Sequence, residues 1–333
     1  MGLQIGNIVP RKSIEFSELK GKTIAVDAFN AIYQFLSTIR QPDGSPLMDN
    51  KKRVTSHLSG LFYRNINLLR EGIKLIYVFD GEAPKMKRAT NDKRREHKDI
   101  AFEKYQQAKQ EEDIEGMGKY ARQLSSIDDE KIAESKELLE AMGIAVVQAP
   151  GEGEAQASFM AQYNDIYAVG SQDYDSLLFG APRLIQNLTL ARKRKTFSGY
   201  VSIGPELIEL GRVLNTLQIN HDQLICLGIL SGTDYNQGGV KGLGPKKSLA
   251  LVRQRKAPAL IFKQIPDLGF DWQEVFELFK KPNVKQAEIN FPKIDKEKIR
   301  KILIEHDFSE ARIDSALKRL DEAKEQAKQK TLF

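Results

Sequence analysis

Short apolar runs in this chain stop, again and again, at a carboxylate. Thr23-Ile24-Ala25-Val26 ends at Asp27, and Leu75-Ile76-Tyr77-Val78-Phe79 ends at Asp80. Ile144–Val147 leads into Pro150-Gly151-Glu152-Gly153-Glu154, and Ile166-Tyr167-Ala168-Val169-Gly170 leads to the pair Asp173 and Asp175. Uninterrupted apolar runs of this length read as strands buried on both faces, the habit of parallel sheets. Amphipathic spacing over 54–71 places a helix between the first two runs. Helical patterns return over 129–142 and from Glu152 to Tyr163, with a further strand at Leu184–Asn187. The β-α-β rhythm predicts an α/β fold: a central, mostly parallel sheet with helices on both faces. In such sheets ligands collect at the carboxyl ends of the strands, which is where these carboxylates stand.

A single Asp173-x-Asp175 pair proves little, because acids after a strand often cap the next helix. The same holds for Glu152 and Glu154, whose charge suits a helix N-terminus. Number and placement shift the balance. Asp27 and Asp80 end buried runs, the two i,i+2 pairs are expected on neighbouring βα turns, and Asp234 lies in the glycine-rich stretch 232–244. Seven carboxylates in one place repel one another unless hard divalent cations neutralise them. Two such ions, about 3.5–4 Å apart, would activate a water and stabilise a leaving oxygen in phosphoryl transfer. With four His and one Cys in the chain, zinc is not favoured.

The basic residues are unevenly spread. Residues 84–98 hold Lys85, Lys87, Arg88, Lys93, Arg94, Arg95 and Lys98 against Asp92 and Glu96, and 192–195 read Arg-Lys-Arg-Lys. From Tyr235 to Pro266 there is no acid, yet Lys241, Lys246, Lys247, Arg253, Arg255, Lys256 and Lys263 occur. The chain's net charge is only +6, so the rest of it is acidic. Concentrated basic segments beside an acidic cluster suit a polyanion held by the first and cut at the second. Solvated faces would give similar runs, but a long acid-free stretch in a chain with 45 acids favours nucleic acid.

Lys87 and Arg94 are seven residues apart and share one face of a helix. They are placed either to reach a phosphate at the metals and offset its charge, or to contact the DNA backbone in general. Gly242-Leu243-Gly244-Pro245-Lys246-Lys247-Ser248 enters a helix at Leu249–Arg253. Glycines let backbone approach closely, and the helix start offers amides to a phosphate. The segment is similar to the hairpin of helix-hairpin-helix DNA binders. The P-loop spacing is absent.

From Glu82 to about Glu130 the composition turns to Lys, Glu, Gln and Arg, which predicts two or three polar helices projecting from the core. Residues 205–230 read as helical, and Ile294 to Lys330 as mostly charged helix. The lone Cys226 lies in an apolar run and reads as a core residue. No apolar stretch approaches a membrane span, no signal-peptide core opens the chain, and Gly6 breaks a myristoylation motif. A cytoplasmic location without membrane association is expected.

Together, Val26-Asp27-Ala28, Tyr33-Gln34-Phe35-Leu36, Phe79-Asp80-Gly81, Ala149-Pro150-Gly151-Glu152-Gly153-Glu154-Ala155, Ser171-Gln172-Asp173-Tyr174-Asp175 and Gly242-Leu243-Gly244-Pro245 resemble the flap endonucleases, the structure-specific 5′-nucleases, in their archaeal form. The likeness runs from Gly2 to about residue 260 and continues more weakly beyond. It implies a PIN-like fold and magnesium-dependent hydrolysis of phosphodiesters at the base of 5′ flaps, with 5′-3′ exonuclease activity. The setting it implies is Okazaki-fragment maturation and long-patch base excision repair. Asp27, Asp80, Glu152 and Glu154 would serve one Mg2+, and Asp173, Asp175 and Asp234 the other, with Mn2+ able to substitute. Lys87 and Arg94 would be catalytic, above the scissile phosphate. Gly2, Tyr33, Arg40, Lys241, Gly242, Gly244, Lys246 and Lys247 would touch DNA, with K+ bound at the hairpin.

The resemblance divides the chain into a nuclease region over 1–98, a helical arch over 99–130 that begins near 82, a second nuclease region over 131–258 with the hairpin 238–250, and a C-terminal region over 259–333. The implied partners are branched DNA with a 5′ flap and a sliding clamp (PCNA), bound by a monomer. Here the tail departs from the family pattern: Gln329, Leu332 and Phe333 are present, but the distal aromatic pair is not, so clamp binding should be weak. The competing readings are a nonspecific 5′ exonuclease or small RNA-cutting nuclease with the same carboxylates, and a non-enzymatic scaffold for DNA ends that would tolerate Asp→Asn changes.

Overall fold

The computed structural model describes residues 3–41, 43–82, 84, 86–111, 113–163, 165–190, 193–196, 199–265 and 268–330, with the side chains of 88–95, 114, 193–196, 200, 324 and 326–330 outside the description. A short edge strand β1 (Lys12–Ser13) precedes β2 (Thr23–Asp27), helices α1 (Ala28–Thr38) and α2 (Ser56–Arg70), and β3 (Lys74–Phe79). Two polar helices follow, α3 (Lys87–Gln110) and α4 (Ile114–Gln123), then α5 (Asp129–Ala141), β4 (Ala145–Gln148), α6 (Gly153–Tyr163), β5 (Ala168–Gly170), α7 (Asp175–Leu178) and β6 (Arg183–Gln186). Beyond these lie β7 (Lys193–Thr196), β8 (Gly199–Ser202), β9 (Glu206–Glu209), α8 (Leu210–Leu217), α9 (His221–Ser231), α10 (Pro245–Arg255), α11 (Pro258–Phe262), α12 (Trp272–Lys280), α13 (Lys296–Glu305) and α14 (Glu310–Lys330).

The main sheet has the order β1-β9-β6-β5-β2-β3-β4. Its centre, from β6 to β4, is parallel, and β9 and β1 extend one edge antiparallel. The alternation of strand side chains sorts the core into two layers. Ile24, Val26, Leu75, Tyr77 and Phe79 pack with α1, α2, α5 and the α13–α14 pair, whereas Ala25, Ile76 and Val78 pack with Ala157 and Met160 of α6. Burial on both faces is why β2 and β3 are almost wholly apolar, and each large side chain so buried contributes about 1.5–3 kcal/mol. Tyr77 is the exception that carries a polar atom inward, and its hydroxyl donates to Asn65 Oδ1 at 2.9 Å. A third cluster joins α7, α8, α9 and α10 to α12 and holds Cys226, fully buried as expected.

Several expectations need correction. The link between β2 and β3 holds two helices, and Asp27 caps the unforeseen one by accepting from Asn30 N at 3.1 Å. The stretch 205–230 opens with β9, paired to β6, before turning helical. Glu206-Leu-Ile-Glu209 buries only its two central residues, a pattern that one helical turn would also give. The basic run at 193–195 lies in the β7–β8 ribbon. The two i,i+2 acid pairs follow β4 and β5, which are separated by β3 and β2 rather than adjacent. The charged C-terminal helix is interrupted at Asp307, whose φ is +60°.

Candidate active site

The carboxyl ends of β5, β2, β3 and β4 form one edge, and the acids gather along it. Asp27 is the last residue of β2, and Asp80 follows β3. Gly153 N, at the start of α6, donates to Asp80 Oδ1 at 2.7 Å, which draws the β4–α6 turn with Glu152 and Glu154 toward β3. From the other side, Asn30 of α1 donates through Nδ2 to Asp173 Oδ2 at 2.9 Å and accepts at Oδ1 from Gln172 N at 3.2 Å. Glu154 Oε1 accepts from Ser176 N at 3.1 Å and Ser176 Oγ at 2.5 Å, so α6 is tied to the start of α7, which carries Asp175. Leu3 N donates to Asp175 Oδ1 at 3.3 Å and brings the N-terminal segment to the site. Asp234 arrives from the turn after α9.

Lys87, the first residue of α3, enters this acidic ring. Its Nζ forms an ion pair with Glu152 Oε1 and lies 3.9 Å from Asp234 Oδ2. Glu152 Oε2 accepts from the hydroxyl of Tyr235, over whose ring the Lys87 ammonium sits at 5.5 Å from the centroid. The electrostatics follow from crowding in a dry place. Burial, and then Asp80, push the Asp27 carboxyl up to about 8. Burial, with Asp173 and Asp234, does the same to Asp175, also to about 8. Glu154 is raised well above the usual carboxylate range by burial and by Asp175. Burial raises Asp80 and Glu152 as well, against the opposing pull of Lys87. Burial works against the Lys87 ammonium, but Glu152, Asp234 and Asp80 outweigh it and its pKa is raised.

Among the described residues, no three His, Cys, Asp or Glu side chains converge tightly enough, as oriented here, to cage an ion. The donor set nevertheless suits hard divalent cations. It consists of carboxylate oxygens, held by named hydrogen bonds and so crowded that several favour their protonated forms. A divalent ion would relieve that repulsion, with Lys87 released from Glu152.

All seven acids and Lys87 are therefore brought together. Arg94 lies on α3 with Lys87, but its side chain is outside the described residues, as is Gly2. Tyr33, on α1, is 44% exposed. Arg40 is turned inward: Nε donates to Leu36 O at 2.9 Å, Nη1 to Gly44 O at 2.7 Å and Nη2 to Ser125 Oγ at 2.6 Å, which fastens the end of α4 to α1. In the hairpin, Lys241, Gly242, Gly244, Lys246 and Lys247 are exposed. Gly239 has φ +58°, and a Cβ there would stand 2.4 Å from Leu230 O, so only glycine closes this turn. Pro245 occupies the first turn of α10, leaving the Lys246 and Lys247 amides at the helix start. The side chain of Gln329, and Leu332 and Phe333 altogether, lie outside the described residues. Sequence reasoning missed Asn30, Ser176 and Tyr235. Their one signal is position, since Ser176 and Tyr235 directly follow acids and Asn30 is one turn past Asp27.

The XPG N-terminal domain matches residues 4–101 and the XPG I-region matches residues 143–234. Flap endonuclease 1 of Pyrococcus furiosus is 52% identical over 336 residues, covering 100% of this chain and 98% of that relative. The solved structure of flap endonuclease-1 from Methanococcus jannaschii is similar with a TM-score of 0.76 and 43% identity, over 97% of this chain and 98% of that one. The catalytic core of Rad2 in complex with DNA substrate shares the fold, with a TM-score of 0.72 and 24% identity over 96% of this chain and 100% of that one.

Proposed function

The chain belongs to the flap endonuclease family, and we propose that it hydrolyses the phosphodiester near the base of a 5′ flap with the help of two magnesium ions. The observation that carries this reading is the gathering of seven carboxylates around the Lys87 ammonium at the carboxyl edge of a parallel sheet. Asp27, Asp80, Glu152 and Glu154 would hold one ion, and Asp173, Asp175 and Asp234 the other. When bound, the pair supplies an activated water and positive charge at the leaving oxygen, with Mn2+ able to replace Mg2+.

The protein's own groups do the positioning. Asn30 and Ser176 hold Asp173 and Glu154 by hydrogen bonds, which limits the orientations of these two acids. Lys87, once freed from Glu152, offsets charge on the phosphate, with Arg94 on the same helix face. Tyr33 offers its ring to an unpaired base beside the scissile bond. The hairpin over 238–250, with K+ bound there, grips the downstream duplex through its lysines and backbone amides, and Gly2 packs against the DNA. Helices α3 and α4 form the arch through which a single-stranded 5′ end passes. In this reading the protein serves Okazaki-fragment maturation and long-patch base excision repair as a monomer in the cytoplasm. No helix among the described residues is long and apolar enough to cross a membrane.

The test is a labelled double-flap substrate, with and without magnesium, cut by the unmutated protein and by Asp175→Asn. Magnesium-dependent cleavage near the flap base, abolished in Asp175→Asn with DNA binding retained, is the expected result. Normal turnover by Asp175→Asn would overturn the metal assignment, and a preference for single strands without a junction would favour the nonspecific nuclease.

A further inference from the structure

Tyr235 stands behind the acidic cluster rather than in it. Its hydroxyl donates to Glu152 Oε2, and the other oxygen of the same carboxylate, Oε1, pairs with Lys87 Nζ. The Lys87 ammonium lies over the Tyr235 ring, 5.5 Å from its centroid, within cation–π range. The ring is itself held from behind. It meets Phe279 of α12 edge to face at 5.3 Å and 78°, and Phe279 packs on Phe179 at 4.8 Å. Tyr235 is only 7% exposed, so its two functions, a fixed donor and a fixed aromatic face, point at two different partners in the site.

We propose that Tyr235 is a positioning residue: its hydroxyl orients Glu152 for the metal, and its ring seats Lys87 in the site. A carboxylate with one oxygen held by a donor is fixed in orientation, and such outer contacts are typically worth about 10–100-fold in metal affinity. The ring acts on the second partner. An ammonium over a desolvated aromatic face is held there without a competing negative charge, so Lys87 stays near the site when Glu152 is claimed by an ion. Helix α12 thereby supports the active site through Phe279, although it contributes no acid to it. This inference rests on the metal reading above.

Two substitutions separate the two roles. Tyr235→Phe keeps the ring and its packing and deletes the hydroxyl, whereas Tyr235→Leu deletes both. Calcium binding to the DNA-free protein is measured by titration calorimetry, melting is followed in chelator, and single-turnover cleavage is measured across a magnesium series. For Tyr235→Phe we expect calcium binding about 10-fold weaker, melting in chelator within about 3 °C of the unmutated protein, and a cleavage rate restored by high magnesium. For Tyr235→Leu we expect the same loss of calcium binding and a rate that high magnesium does not restore, because Lys87 has lost its seat. Unchanged calcium affinity and an unchanged magnesium requirement in Tyr235→Phe would overturn the proposal while leaving the metal reading intact. A fall in melting temperature with no change in calcium affinity would also overturn it, as a packing role only. Absence of calcium binding in the unmutated protein would instead sink the metal reading itself.

Discussion

The backbone amide of Gly153 donates to Asp80 Oδ1 at 2.7 Å, joining the first residue of α6 to the acid that ends β3. The contact leaves no room for a side chain. A Cβ on Gly153 would lie 2.7 Å from Asp80 Oδ1 and 2.8 Å from Val78 O. Gly153→Ala must therefore push α6 away from β3, and Glu152 and Glu154 travel with it. A misplacement approaching 1 Å at reacting groups can cost about 100-fold. Single-turnover cleavage by Gly153→Ala should fall by about 10–100-fold, with duplex binding in chelator unchanged. A rate within twofold of the unmutated protein would show that this glycine is not needed for close approach.

Raised carboxyl pKa values make metal binding a proton-releasing event. Burial and neighbouring acids hold Asp27 and Asp175 near 8, so at pH 7 both retain protons that a divalent ion must displace. In the metal-free protein these protonated forms stabilise the fold below the unfolded carboxylate value of about 4, and that contribution is lost as pH rises through about 8. Calcium titrations in buffers of different ionisation enthalpy should report release of about one to two protons at pH 7 and little above pH 9. Proton release that does not change with pH would contradict the raised values.

The parts of this fold that could be read from sequence are those where one force dominates. β2 and β3 are buried on both faces, so their apolar runs have no polar interruption, and the acids that end them stand out. β9 reads ambiguously because this four-residue strand buries only Leu207 and Ile208, between Glu206 and Glu209, a pattern that one helical turn also gives. Helix α1 starts at its cap, Asp27, an acid at a strand end that suits a metal ligand and a helix cap equally well. One oxygen of a carboxylate caps the helix and the group still faces its neighbouring acids, so the two roles coexist. Asn30, Ser176 and Tyr235 became visible only when the chain closed on itself. Asn30 and Asp173 are 143 residues apart in sequence, and no spacing rule links them.

The hairpin should contribute affinity and not chemistry. Lys246 and Lys247 are exposed on the first turn of α10 and make no contact with the acidic cluster. If both neutralise phosphates, replacing them with Ala should reduce the slope of log affinity against log salt by up to about 1.8. Cleavage at saturating enzyme should hardly change. An unaltered slope would reduce the segment to a tight turn.

A second polar cluster, remote from the acids, should govern acid stability. His57 Nε2 lies 2.9 Å from Glu134 Oε2, and His306 Nε2 lies 3.3 Å from Glu134 Oε1. His306 Nδ1 is 3.5 Å from Asp49 Oδ2, to which Arg53 Nε donates at 2.7 Å. Together they pin α2 and the turn before it to α5 and the end of α13. Burial lowers the His57 pKa, despite the opposing pull of Glu134. A lowered histidine contributes stability above its unfolded value of about 6.5 and loses it as pH falls below that. The drop in melting temperature from pH 7.5 to 5.5 should therefore be smaller in His57→Gln than in the unmutated protein. Equal drops would mean that His57 does not titrate in this range.

Flap cutting differs from generic nuclease activity in how the strand reaches the site, and α3 and α4 are the elements that decide it. They pack mainly on each other, burying Ala101, Ala108 and Ala121, while Ile100 and Phe102 remain exposed at 43% and 52%. At its start α3 delivers Lys87 into the acidic cluster, and at its end α4 is fastened through Ser125 to Arg40. In the proposed reading, this helical pair, tied down at both ends beside the site, is an arch that a single strand threads. A streptavidin block placed on the 5′ end before the enzyme is added should strongly suppress cleavage. The same block added after binding in calcium, followed by magnesium, should leave the first turnover largely intact, because the strand is already through. Equal rates with and without the earlier block would show that the strand enters from the side and that α3 and α4 form an open clamp.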